Sequence, residues 1–164
     1  MNHSIDKLKL QEASNHLWYE IWMFQTLVRG MSSGMAGEGA LNNAILESFA
    51  IHVRALIHFF FDCDGQRDDV LAIHFFATSD EWTRVAPPLT EVLQQAKKRA
   101  DKEVAHLTYS RRKVTPEKKP WEFIPIFDDL QKAVDLFIKS VPQDLLGERW
   151  EQTKDLVQAQ AKNA

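Results

Sequence analysis

The chain has 164 residues, of which 45% are apolar and 26% are charged, a composition ordinary for one folded domain with a buried core. Its single cysteine, Cys63, excludes an internal disulfide and a thiolate metal cluster. The first seven residues lack the apolar stretch of a secretion signal, and no apolar run is long enough to predict a membrane span. We therefore expect residues 1–164 to form a single cytoplasmic domain without membrane association.

Charge is unevenly distributed along the chain. Residues 97–119 hold nine Lys and Arg against three acids, so this segment carries +6. Because the net charge of the chain is −3, the remaining residues together carry −9. Such asymmetry indicates an anionic partner. The alternative is a solvated helix face followed by a loop.

The first predicted helix covers residues 5–30, with Ser4 as the expected N-cap and a glycine-containing loop after it. Trp18 and Trp22 lie four residues apart, so they are expected to pack or to form part of a protein interface. Apolar side chains recur every three or four positions along this segment, which predicts a core-facing stripe. That stripe consists of Leu10, Ala13, Leu17, Ile21, Phe24, Val28 and Met31.

A second helix is predicted from about Ala40 to Asp62, with an apolar face wide enough for the middle of a helical bundle. Its other face carries Glu47, Arg54 and His58 at helical spacing. These side chains either add an acid and a base to a pocket near His106 or are satisfied polar groups at the edge of the core. The second interpretation is the more common one for such residues.

Residues 63–88 are the least regular part of the sequence. Residues 68–72 are compatible with a short helical turn, and Thr78 to Glu81 resembles a capping box that precedes Trp82. Pro87 and Pro88 are expected to end that element and to begin the next helix.

Three further helices complete the predicted fold. The third runs from about Pro88 to Tyr109, a basic loop follows over 110–120, and the fourth helix runs from about Trp121 to Ser140. The last amphipathic helix is expected to bury Leu146, Trp150, Val157 and Ala161. Because period-two alternation is almost absent, we predict an all-α fold, a bundle of four main helices with short additional ones.

The third helix carries the pattern that points to chemistry. Arg99 and His106 are seven residues apart, almost two α-helical turns, and Glu103 lies between them. An arginine binds a phosphate by paired hydrogen bonds, and a histidine transfers protons on a ribose hydroxyl or a leaving oxygen. Glu103 would orient either the imidazole or the guanidinium. The alternative is an exposed helix face on which Arg99 and Glu103 form an ordinary ion pair.

The run from Arg99 to His106 resembles the motif of HEPN domains (higher eukaryotes and prokaryotes nucleotide-binding), in which four to six residues separate an arginine from a histidine. The family consists of small helical bundles, and many members are metal-independent ribonucleases that dimerise so that two motifs share one cleft. The resemblance implies that Arg99 and His106 are the matching residues. Ala100 stands where the family usually has a polar residue. Other members of the family serve as binding or dimerisation modules.

A basic segment follows the motif and is expected to attract a polyanion. Tyr109, Trp121 and Phe123 flank it and either stack on unpaired bases or, for the last two, turn inward as the apolar start of the fourth helix. The predicted ligand-binding residues are Arg111, Arg112, Lys113, Arg54 and His58, with Lys118 and Lys119 extending the positive charge.

We therefore hypothesise an RNA- or nucleotide-binding homodimer, which in the more specific form of the hypothesis is a metal-independent ribonuclease that acts through Arg99, His106 and Glu103. This hypothesis needs Arg99 and His106 to share an accessible, electropositive hollow. A non-catalytic dimerisation or regulatory module is the alternative. A metal-dependent bundle enzyme is the third hypothesis, but the six histidines lack the pairwise helical spacing of metal ligands, so no metal or other cofactor is expected.

Overall fold

The structure is a computed structural model that describes residues 6–34, 37, 39–105, 109 and 121–151. Over these residues the chain is helical with no strand, which confirms the all-α prediction. The α-helices are α1 (Lys7–Ser32), α2 (Ala40–Phe61), α3 (Ser79–Val85), α4 (Glu91–Arg99) and α5 (Phe123–Ser140). Two 3₁₀ turns cover Ala72–Phe75 and Gln143–Leu145, and a π-helical turn, Ala100–Ala105, continues α4.

Helix α1 begins two residues later than predicted. Its N-cap is Asp6, whose carboxylate accepts a hydrogen bond from the Leu8 backbone N–H at 3.1 Å, so Ser4 is not the cap. The predicted stripe is buried at Leu10, Leu17, Ile21, Phe24 and Val28. Ala13 and Met31 are only partly buried, and Ser14 takes the fully buried position beside the stripe.

Ser14 is buried because it anchors the C-terminal part of the described chain to α1. Its hydroxyl donates to the Gln11 carbonyl at 2.8 Å and accepts the Gly147 backbone N–H at 2.7 Å. The Trp150 indole donates to the Ser14 carbonyl at 2.9 Å. A Cβ at position 147 would lie 2.4 Å from the Asn15 side-chain oxygen, so any other residue there would displace the Asn15 side chain.

We expect Ser14→Ala to lower the free energy of unfolding by about 1–3 kcal/mol, because the buried Gly147 N–H loses its acceptor. Urea denaturation followed by circular dichroism measures this loss. Ser33→Ala is the matched control, since the Ser33 hydroxyl also donates to a carbonyl three residues earlier but is exposed. A Ser14→Ala loss as small as that of the control would contradict the prediction.

Helix α2 lies at the centre of the hydrophobic core and contacts α1, α4 and α5. Among the described helices it alone is long and apolar enough to cross a membrane by those two measures, with a mean hydropathy of 1.5. The sequence expectation that no run reaches this length was therefore too strict. Most of the apolar face predicted from the sequence is buried, namely Phe49, Ala50, Val53, Leu56, Ile57 and Phe60. The predicted Leu46 and Phe61 are partly buried, and His52 and Phe59 are buried in addition.

An aromatic cluster joins the end of α2 to α3 and α5. Trp82 on α3 is 1% exposed, and its indole N–H donates to the Phe60 carbonyl at 2.8 Å. That bond satisfies a carbonyl in the last turn of α2, where intrahelical donors run out. Thr78 is the N-cap residue of α3, but its hydroxyl lies 3.5 Å from the Glu81 carboxylate and makes no backbone cap bond. The predicted capping box is therefore wrong, and Trp82 positions the helix.

The third predicted helix differs most from the structure. Helix α4 begins at Glu91, because Thr90 caps it by accepting the Leu93 N–H at 3.3 Å. Beyond Arg99 the backbone changes to π-helical bonding, which joins residues five apart. Leu146 and Trp150 are buried as predicted, but Leu146 precedes the last helix, of which residues 148–151 are described; Val157 and Ala161 lie outside the described residues.

Candidate functional site

The arginine and the carboxylate of the predicted motif form a direct ion pair at the junction of α4 and the π-helical turn. The Arg99 Nε lies 3.2 Å from both Glu103 carboxylate oxygens, and Nη2 donates to Oε2 at 3.0 Å. Their side chains are 24% and 23% exposed, so this pair is better shielded than an exposed helical pair worth about 0.3–0.5 kcal/mol. The sequence left open whether Glu103 orients the His106 imidazole or the Arg99 guanidinium, and the structure shows it in contact with the guanidinium.

His106 lies outside the described residues. So do the predicted ligand-binding residues Arg111, Arg112 and Lys113, together with Lys118 and Lys119. The π-helical turn has a consequence for the motif, because an i→i+5 bonding pattern places more residues in each turn than an α-helix does. Seven-residue spacing therefore no longer implies that Arg99 and residue 106 project from one face.

The guanidinium of Arg99 also lies over the ring of Trp121, with Cζ 4.4 Å from the ring centroid. This distance is well within the range of a cation–π contact. Trp121 is 7% exposed and meets the edge of Phe49 on α2 at 6.0 Å. Trp121 therefore turns inward, as does the partly buried Phe123. The Trp121 ring holds the Arg99 guanidinium in place and is not a surface on which an RNA base would stack.

A cleft of about 240 Å³ opens beside this arginine, between α4 and the start of α5; we call it the Arg99 cleft. Its apolar floor includes Ala96 and Ile126, which are 2% and 4% exposed. Among the described residues that line it, Glu91 and Glu122 are acidic and one, Arg99, is a cation, which pairs with Glu103. The described lining therefore holds more acids than cations, and an electropositive hollow shared by Arg99 and His106 stays a prediction. The lining residues are Glu91, Val92, Gln95, Ala96, Arg99, Trp121, Glu122 and Ile126.

No family model, curated protein or solved structure matches this chain. The HEPN resemblance consequently rests on the Arg99 to His106 motif and stays a prediction.

On the polar face of α2, both predicted ligand-binding residues, Arg54 and His58, have internal partners. The Arg54 Nε–H donates to the Asp101 carboxylate in the π-helical turn. The Arg54 side chain is 50% exposed and that of Asp101 is 34% exposed. His58 lies between two aspartates, while Glu47 is exposed. Ligand binding by Arg54 and His58 stays a prediction, and any ligand would have to compete with these carboxylates.

The surroundings of His58 form a polar cluster that sequence analysis missed; we call it the His58 cluster (His58, Asp62, Asp69 and Lys97). The Asp62 carboxylate lies 2.6 Å from the imidazole Nδ1, and Asp69 lies 3.2 Å from Nε2. The Lys97 ammonium donates to both Asp62 oxygens at 2.8 and 2.7 Å. The His58–Asp62 spacing on α2 was a usable signal, but the other two residues arrive from a loop and from α4. Over the described residues no group of three or more His, Cys, Asp or Glu is arranged to hold a metal ion.

These contacts change the acidity of Asp62. Burial by itself raises the pKa of this carboxyl, but hydrogen bonds from Lys97 and His58 and their charges outweigh burial and leave the pKa below its ordinary value of 3.8. The folded protein therefore releases this proton more readily than the unfolded chain. The stabilisation is fully present above the unfolded pKa and is lost as the pH falls through the folded pKa.

As the pH is lowered below about 4, we expect the free energy of unfolding to fall more steeply for the wild-type protein than for Asp62→Asn. Urea denaturation at a series of acidic pH values measures the two slopes. Asp64→Asn, an exposed neighbour, is the control and should keep the wild-type slope. Parallel profiles for Asp62→Asn and wild type would show that the His58 cluster does not contribute in this way.

Proposed function

We propose that this protein binds single-stranded RNA or a nucleotide at the Arg99 cleft. The observation that carries the proposal is the Arg99 guanidinium, held by Glu103 and Trp121 while it lines a cleft. A planar group fixed in this way loses little side-chain entropy when a ligand arrives, so a larger part of the contact energy appears as affinity. Arginine planes also stack on unpaired RNA bases.

The sequence around the cleft supports the same ligand class. Residues 97–119 carry +6, begin on α4 and end two residues before Trp121, so this part of the chain is expected to attract a polyanion. Tyr109, within this segment, is 89% exposed, which leaves an aromatic ring available to stack on an unpaired base. Binding through this segment would be salt-dependent.

The more specific form of the proposal is RNA cleavage without a metal. In this form Arg99 contacts the scissile phosphate and stabilises charge that develops there, and His106 transfers protons to or from a ribose hydroxyl or leaving oxygen. Glu103 acts as a positioning residue, because it contacts the guanidinium. As in the family that the motif resembles, a homodimer would bring two copies of the Arg99 to His106 motif together.

The test is cleavage of an end-labelled single-stranded RNA in the presence of a chelator. We expect wild-type protein to cleave and His106→Ala to be slower by about 10²–10⁴-fold, the contribution typical of a general acid or base. His16→Ala, which removes an exposed histidine on α1, is the matched control and should keep full activity. Equal cleavage by wild type and His106→Ala would remove the catalytic role, and failure to bind RNA at all would overturn the whole proposal.

A second candidate function is supported by one observation on α1. Tyr19 and Trp22 are 40% and 44% exposed, and Trp22 stacks on Trp18 with ring centroids 6.0 Å apart. Aromatic residues are enriched where proteins meet, so this face suits a non-catalytic module that pairs with a second copy of the chain. Sedimentation of wild type and Trp22→Ser tests it: a dimer that dissociates on substitution supports the module, and a monomer at every concentration contradicts it.

A further inference from the structure

The composition of the Arg99 cleft indicates which part of an RNA it accepts. A volume of about 240 Å³ lies below the roughly 300–1,000 Å³ of sites that hold drug-sized ligands, so the cleft takes one ring-sized group rather than a whole nucleotide. Buried Ala96 and Ile126 supply an apolar floor for the face of such a ring. A planar base has this shape and this apolar face.

The charged walls exclude a phosphate from the interior. Glu91, the first residue of α4, and Glu122, the residue before α5, both line the cleft and are exposed. The charge of Arg99 is offset by Glu103. A phosphate placed deep inside would face two carboxylates, so the RNA backbone is expected to stay at the opening of the cleft, within reach of the long Arg99 side chain, while a base enters.

The same carboxylates discriminate among bases, because an ionised carboxylate only accepts hydrogen bonds. Cytosine presents an exocyclic amino group at the position where uracil presents a carbonyl oxygen, and acidic side chains pair with that amino group. Resting on the proposed function, we infer that the Arg99 cleft selects an unpaired base that carries an exocyclic amino group, and that Glu91 and Glu122 accept its hydrogens.

Oligocytidylate and oligouridylate of equal length are the matched probes, since both are pyrimidine strands with the same backbone. We expect wild-type protein to bind oligocytidylate about tenfold more tightly in fluorescence anisotropy, as for one favourable carboxylate–amine pair. Glu91→Gln with Glu122→Gln should bring the ratio close to one, because an amide donates as well as accepts. Glu12→Gln, an exposed glutamate on α1, is the matched control and should keep the wild-type ratio.

The outcomes separate this inference from the proposal on which it rests. Equal binding of the two strands, a preference for oligouridylate, or a preference that survives both glutamate substitutions would overturn the inference and leave RNA binding intact. Binding of neither strand would overturn the proposed function and the inference together. Because both glutamates are exposed, the double variant should show the wild-type urea midpoint, which verifies that it is folded.

Discussion

Replacing Phe137 with alanine is expected to lower the free energy of unfolding by about 3–5 kcal/mol. Phe137 on α5 is fully buried, and the loss combines the transfer of its ring to water with the cavity left behind. Five aromatic rings lie around it at centroid distances of 5.3–6.1 Å, those of Phe59, Phe60, Phe75, Phe76 and Trp82. Since native domains are stable by only about 5–15 kcal/mol, this one change removes a large part of the total.

Urea denaturation monitored by tryptophan fluorescence and circular dichroism measures the Phe137→Ala loss. Ile124→Ala is the matched control, because Ile124 lies on the same helix with 47% of its surface exposed and should change stability by no more than about 0.5 kcal/mol. Phe137→Leu keeps most of the volume and should fall between the two, which preserves the test if the alanine variant does not fold. A Phe137→Ala midpoint equal to that of the control would show that the aromatic cluster is not the centre of the core.

The second large effect is expected for Arg99→Lys, which keeps the charge but removes the planar fork that pairs with Glu103 and lies on Trp121. We expect RNA affinity to fall at least about tenfold, which corresponds to about 1.4 kcal/mol. Fluorescence anisotropy with a labelled single-stranded RNA, at several salt concentrations, measures the change. A loss that persists at high salt indicates that geometry rather than net charge is responsible.

Arg84→Lys provides the control for Arg99→Lys. Arg84 also pairs with an acid four residues away, Asp80, but at 3.6 Å and with both side chains at least 72% exposed. Its substitution should leave RNA affinity and stability unchanged, because exposed pairs of this kind contribute little. If Arg99→Lys binds RNA as tightly as the Arg84→Lys protein, the held guanidinium is a structural feature and the proposed site is wrong.

The helices whose apolar stripe is regular were predictable from the sequence. The bounds of α1 and α2 agree with the prediction to within two residues, because helical periodicity and the glycines after Gly30 are local signals. The π-helical turn was not predictable, since Ala100 to Ala105 are residues that an α-helix also accepts. The third helix was consequently assigned one continuous α-helical face that the structure does not have.

For the candidate site, the Arg99–Glu103 pair followed from i,i+4 spacing, whereas the contact with Trp121 joins residues 22 positions apart and had no local signal. The acids in the cleft had no signal in the charge count either, because Glu91 and Glu122 lie outside residues 97–119. Counting charge along the chain treats each cation as available, but Lys97, the first residue of the counted segment, binds the Asp62 carboxylate.

The sequence by itself determined the helical class, the main buried stripes and the position of the arginine–carboxylate pair, because each depends on residues within two helical turns of one another. The tertiary structure alone decided that Ser14 anchors the Gly147 turn, that Trp121 carries the Arg99 guanidinium and that acids line the cleft. Those contacts join residues that are far apart in the sequence. The partners of a charged or buried group depend on which residues the fold brings close together, and residue spacing along the chain does not give that information.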